Sequence, residues 1–377
     1  LVIRQRRNAA NGSNANPLEI IREELGHIQR GAAHQHLIFP HNVKGWRDRV
    51  VIGRPSGTAF ISTSRRDDGT AIIKLHQDAA GRGRAYERAA ATLPRTVLSS
   101  STAAESPTAL CARREMQSWL LLQLEPTALR QPDEFTASTH LESSGRHLAA
   151  NLARLTPKGD PDRIFSQISN RLSELIGSVR SIRVDRDEKR ELLTLMMTGE
   201  DGTELPARAL SDGTLRFLAL SVLEMDPETP ALLCMEEPEN GIHPDRIPAM
   251  LKLLQDIATD PGEPADDTNP LRQVIVNTHS PSVVMAVPDE SILLAKAAKD
   301  FANGREFMRV EFASLSDNWR TRAEPPTPVV SKGDLLGYLN PAGTIRDYGT
   351  STMMATRRVW RVIEHPELRL LSSGSPS

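Results

Sequence analysis

The spacing of apolar residues changes several times along the chain, and each change predicts an element. The stretch from Pro17 to Leu25 predicts a helix, with proline at a first-turn position where its missing N–H costs nothing. From 46 to about 100 the apolar runs are short and β-like. There, Thr58–Ser62 and Ala71–Leu75 flank a turn at Asp67, Asp68 and Gly69, a hairpin signal. Residues 101–165 read as helical, including the apolar run Trp119–Leu122 and the segment His147–Leu155. A second β pair is expected at Val179–Val184 and Leu192–Met197, followed by a turn over Gly199–Thr203. Between 205 and 300, helical stretches alternate with short apolar runs, which predicts a parallel α/β sheet. From about 322 the chain is rich in proline, and Ser372–Ser377 is expected to be disordered. No repeat of solenoid period occurs.

Composition narrows the function classes. Apolar residues make up 39% and charged residues 25% of 377, values of a globular chain. There is no apolar run of about 18 residues and no charged-then-apolar leader, so no membrane partner is expected. Cys111 and Cys234 are too few for a disulfide framework or a zinc site, and a cytoplasmic setting is the expectation. A net charge of -2 does not mark a nucleic-acid binder, yet leaves room for a local basic patch. Thr352–Glu364, with Arg357, Arg358 and Arg361, is one candidate for contact with DNA or a protein; a solvated helix face has the same pattern.

Three short segments carry the candidate chemistry. In the first, Ser211 or Asp212 caps a helix whose Leu215, Leu218, Ala219 and Val222 recur at helical spacing. Gly213 beside the cap lets a ligand approach the open N–H groups, and a helix start favours phosphate, although an ordinary core helix begins the same way. In the second, the apolar run Ala231–Met235 ends in Glu236, Glu237 and Pro238. Acids at the C-terminal end of such a strand stand where open α/β sheets bind ligands, one to help hold Mg²⁺ and one to deprotonate water. In the third, Gln273–Val276 leads into Asn277, Thr278 and His279, where a histidine can donate to a phosphate oxygen. Each has a bland reading alone, as cap, surface charge or structural histidine; their order and spacing point to a shared site.

Together these segments resemble the RecF/SMC-like branch of the ABC-type P-loop ATPases. Leu210–Thr214 looks like the signature motif, Leu232–Glu237 like the Walker B strand, and Asn277–Pro281 like the switch-histidine loop. The run Glu237–Pro244 is typical of stand-alone predicted AAA or ABC ATPases, with weaker similarity at Leu124–Pro126, Arg130 and Gly145–Leu155. The resemblance reaches to about 345. It implies an α/β, RecA-like parallel core with antiparallel segments and an inserted arm or lid. It implies ATP and Mg²⁺ as ligands: Glu236 on the magnesium side, Glu237 as general base and His279 as γ-phosphate sensor. Ser211, Asp212, Gly213 and Thr214 would face a partner's nucleotide in a head-to-tail homodimer, with Asn240 and Gly241 in the loop linking the two sites. The magnesium-side acid is usually Asp; Glu236 is a departure with a longer arm.

A larger departure is the phosphate loop: no Gly-x-x-x-x-Gly-Lys-Ser/Thr occurs in the 377 residues. Asn11–Ser13 matches only the middle of such a loop, which is therefore expected upstream of Leu1, with Leu1–Ile3 continuing its helix. The expected domains are 1–175 (head, β-rich arm and helical lid), 176–345 (the lobe with the three motifs) and a C-terminal extension, 346–377. Three functions follow: an ATPase driving DNA repair or anti-phage defence beside a DNA or nuclease partner, an inactive dimerisation scaffold, or an ATPase fused to a nuclease. The last needs a Glu and a paired Asp-x-Asp, and past Ser291 the acids, Glu306, Glu311 and Asp317 among them, form no such pair.

Overall fold

A computed structural model describes residues 1–5, 18–51, 59–77, 85–156, 161–177, 179–302, 305–323 and 327–339. The readings made for Asn11–Ser13, Thr352–Glu364 and the 346–377 extension lie outside the described residues. The chain divides into two compact units, Leu1–Thr278 and His279–Ser377.

The first unit opens with β1 (Val2–Gln5) antiparallel to β2 (Leu18–Arg22). Strands therefore replace both the helix expected over Pro17–Leu25 and the helical continuation at Leu1–Ile3. The reason is long-range. Ile20 is buried with Ile61, Ile73, Leu75 and Val97, and buried Glu23 accepts the N–H groups of Val97 and Leu98, each at 2.8 Å. Local helix preference gives way to this tertiary pairing. The expected hairpin forms as β3 (Ile61–Arg65) and β4 (Ala71–Leu75), with Gly69 at φ +83° in the turn and β5 (Tyr86–Ala89) added to β4.

Helix α1 (Pro107–Ser118) runs almost directly into β6 (Leu120–Leu122), so within the Trp119–Leu122 run Trp119 caps the helix and the three leucines form a strand. After the two-residue β7 (Asp133–Glu134) come α2 (Leu148–Leu155) and α3 (Pro161–Ile176). The second β pair is present as β8 (Val179–Asp187) and β9 (Leu192–Gly199). Both β7 and β10 (Glu204–Pro206) also pair with β9, all antiparallel.

Helix α4 (Asp212–Met225) buries Leu215 and everything from Phe217 to Leu223, and packs against α3 and α5 (Ile247–Ile257). Each large apolar side chain taken fully from water contributes about 1.5–3 kcal/mol, so this helix is a fixed element of the core. Strand β11 (Leu232–Glu236) lies between β12 (Gln273–Asn277) and β6, all three parallel. Leu122, Leu233 and Met235 are buried, whereas Leu121 and Ile275, both register partners of Cys234 on the opposite face, are about half exposed. The mixed α/β class with a parallel core and antiparallel segments is as expected.

The second unit contains α6 (Pro281–Ala286), the long hairpin β13 (Leu293–Ala302) and β14 (Arg305–Leu315), β15 (Val329–Val330) parallel to β14, and α7 (Lys332–Leu339). Its core is Leu294, Ala313, Leu315, Val330 and Leu335. Among the described residues no helix is long and apolar enough to cross a membrane.

Candidate functional site

The start of α4 is built by its own sequence. Ser211, extended at φ −68° and ψ 155°, is the N-cap; its Oγ accepts the N–H of Thr214 at 3.1 Å and lies 2.8 Å from the Thr214 hydroxyl. The cap is thus Ser211, and Asp212 is the first helical residue. The N–H groups of Asp212 and Gly213 have no intrahelical acceptor, as at any helix start, and remain open to an anion. Asp212 turns its carboxylate to Arg130, 2.5 Å away, and the same Arg130 nitrogen donates to the Leu210 carbonyl at 2.9 Å.

Gly213 stands at a close approach. A Cβ there would stand 3.2 Å from the carbonyl oxygen of Gly241, itself at φ +77° in the loop after β11. Beside this contact lies a cleft of about 270 Å³ whose lining includes Ser211, Gly213, Thr214, Gly241, His243 and Arg246. His243 and Arg246, two basic residues to which the sequence had given no role, follow that loop directly.

The carboxylates stand at the C-terminal end of β11. Glu236 is the last strand residue, in register with Asn277, and its Oε2 accepts the Gln123 amide at 3.2 Å. Gln123 follows β6, so the parallel register alone brings it beside Glu236. Glu237 leaves the strand in the left-handed region at φ +42°, and its N–H donates to the Asn277 carbonyl at 2.8 Å. Its Oε2 accepts the Asn240 amide at 2.7 Å. Asn240 and Gly241 thus touch Glu237 and the α4 start within one chain. Among the described residues no cluster of three or more His, Cys, Asp or Glu forms a ready metal site. His279 is exposed, follows β12 by two residues, and opens the second unit.

The sequence profile of a family described as "AAA domain, putative AbiEii toxin, Type IV TA system" matches residues 50–286, well over half of the chain. The chain belongs to this family. The AAA-domain match takes in β6, the start of α4, both carboxylates and His279, and bears out the expected place among the P-loop ATPases. No curated protein matches the sequence significantly. Similar solved structures include the SMC head domain from Thermotoga maritima, with 11% identity over 76% of this chain and 88% of that one, at a TM-score of 0.26. An SmcHead bound to the C-winged helix domain of ScpA shares 14% over 68% of each chain, at 0.33. An Smc head domain with an extended coiled coil, derived from Pyrococcus furiosus and bound to the C-terminal domain of ScpA, shares 14% over 40% of this chain, at 0.25. The AAA-domain chain spans 36% of the length of that last protein. Membership rests on the sequence match and not on these likenesses.

Proposed function

We propose that this AAA-domain protein is an ATPase that closes head to tail on ATP as a homodimer, with hydrolysis releasing the two copies. The observation that carries the reading is the pair Glu236 and Glu237 at the end of a parallel strand, each carboxylate met by an amide, from Gln123 and Asn240 respectively. Glu236 and Gln123 bring hard oxygen donors together and would hold Mg²⁺. When bound, the ion neutralises charge on the phosphates. Glu237 takes a proton from the attacking water, oriented for that by Asn240. His279 is assigned to the γ-phosphate by its position after β12. Ser211 and Gly213 present a hydroxyl and open N–H groups to the nucleotide of the second copy.

None of the 377 residues forms a Gly-x-x-x-x-Gly-Lys-Ser/Thr phosphate cradle, so the reading rests on the two carboxylates and the start of α4. The work driven by the cycle is assigned to DNA repair or anti-phage defence, with DNA or a nuclease as partner, on resemblance alone.

The test uses the full gene product. Glu237→Gln keeps size and hydrogen bonding but removes the base, so turnover falls at least ~100-fold while ATP binding survives and the ATP-bound dimer accumulates. Ser211→Arg binds ATP as a monomer, and neither dimerises nor hydrolyses. Unchanged hydrolysis in the Gln variant would show that another group is the base. A gene product that binds no ATP would make the chain an inactive dimerisation scaffold.

A further inference from the structure

Glu239 has no part in the scheme above, yet it lies where three elements meet. It belongs to the loop after β11, two residues beyond Glu237, and is 91% buried by its 9% exposure. One of its oxygens accepts the hydroxyl of Thr278, the residue after β12 and immediately before His279 in sequence. Its other oxygen, Oε2, is buried with no hydrogen-bond partner among the described residues. So is Nε of Arg216, one turn into α4. These two unmet groups are a donor and an acceptor of opposite charge. They also sense each other: burial pushes the Arg216 guanidinium below its ordinary value, and the negative charges of Asp212 and then Glu239 push back.

A buried acceptor and a buried donor left unmet are each costly, and these two sit on a loop and a helix that touch at Gly241 and Gly213, so a bond between them would relieve both. We propose that Glu239 is a positioning residue with two settings, one bonded to Thr278 alone and one bonded also to Arg216. Through it, the loop leading to His279 sets the start of the signature helix in the same chain. The inference rests on the ATPase reading and deepens it. In a head-to-tail dimer each chain's phosphate sensor and its signature serve different nucleotides. A link between them inside one chain therefore couples the two composite sites.

The geometry favours this over a purely structural pair. Glu239 holds its loop by backbone as well, since its carbonyl accepts the Ile242 N–H at 2.9 Å. Gly241 and Ile242 in that loop are the atoms against which Gly213 packs. A change at Glu239 is thus delivered to the α4 start by two routes, the Arg216 side chain and the Gly241–Gly213 contact.

The experiment is a mutant cycle in the full gene product. Glu239→Gln keeps the bond from Thr278 and loses the charge facing Arg216; Arg216→Gln removes the other partner. Each single variant is expected to bind ATP within about twofold of the parent, yet to lose about tenfold in kcat and in ATP-driven dimerisation, the scale of coupling through a packed network. The double variant should lose no more than either single one, because both break one link. Thr278→Val, which removes only the hydroxyl, should give the same split between kcat and KM, and serves if the buried charge variants fail to fold. Full kcat and dimerisation in Glu239→Gln and Thr278→Val would overturn the inference, as would losses that multiply in the double variant. Equal loss of melting temperature, ATP affinity and kcat would likewise overturn it, because that marks a structural prop. A parent that hydrolyses no ATP defeats the ATPase reading and this one with it; an active parent with unaffected variants defeats this one alone.

Discussion

Arg130 and Asp212, 82 residues apart in sequence, meet in a 2.5 Å ion pair at the first residue of α4. The same nitrogen also holds the Leu210 carbonyl, so one side chain ties the Leu210 backbone and the Asp212 carboxylate on either side of Ser211. Because Asp212 is about half exposed, solvent screens much of the attraction. Arg130→Met should therefore cost only about 1 kcal/mol in urea denaturation. ATP-driven dimerisation should suffer more than stability does. If stability falls while dimerisation is untouched, the clamp serves the fold alone.

Gly241 and Gly213 make opposite demands on a methyl group. At Gly241 the conformation forbids it: φ +77° disfavours any Cβ by about 1–2 kcal/mol, so Gly241→Ala should destabilise by that amount. At Gly213 the helix welcomes alanine but the 3.2 Å approach to the Gly241 carbonyl resists it. The two terms offset, so Gly213→Ala should leave the melting temperature nearly unchanged and still weaken dimerisation. Light scattering with and without ATP reads the difference.

Gln123 gives a sharper test of the magnesium side. Removing its carboxamide leaves Glu236 without its only hydrogen-bonding side-chain neighbour among the described residues. Gln123→Ala should raise the Mg²⁺ concentration for half-maximal turnover about tenfold, the usual scale for groups that orient a ligand, with little change at saturating Mg²⁺. An unchanged Mg²⁺ titration would remove Gln123 from the site.

Acid stability should report on Asp226, buried at the end of α4. Burial is the strongest single influence and pushes its carboxyl up. The hydrogen bonds from Arg154, the Glu228 N–H and Asn151 together outweigh it and hold the carboxyl below its ordinary 3.8. A group depressed on folding stabilises above its unfolded value and loses that contribution as pH falls through the folded one. Stability should drop as the pH goes below about 4. Arg154→Met removes the main opposing bond, so the gap between parent and variant should narrow across that range.

The three motif segments were legible because each pairs a strong apolar period with an abrupt polar end. Ser211, Glu236 and Glu237 stand on the elements read for them. Trp119–Leu122 was not legible as β6, since four apolar residues directly after a helix carry no period of their own. Its strand identity comes from pairing with β11, 113 positions away in the Gln123–Glu236 contact. Gln123 was missed for the same reason, and reading that run as a strand would have placed it. Pro17–Leu25 failed because Ile20 and Glu23 answer to residues beyond position 60.

The left-handed backbone of Glu237 sets function against stability at a single position. A non-glycine residue at φ +42° is held there at a cost of about 1–3 kcal/mol by the structure around it. Glycine accepts that conformation freely, and asparagine more readily than glutamate. A screen for thermal tolerance alone should therefore select Glu237→Gly, a protein that melts higher and turns over nothing. Such a gain would mark Glu237 as a residue the fold tolerates for its carboxylate, and a lower melting point in that variant would show that the backbone is at ease.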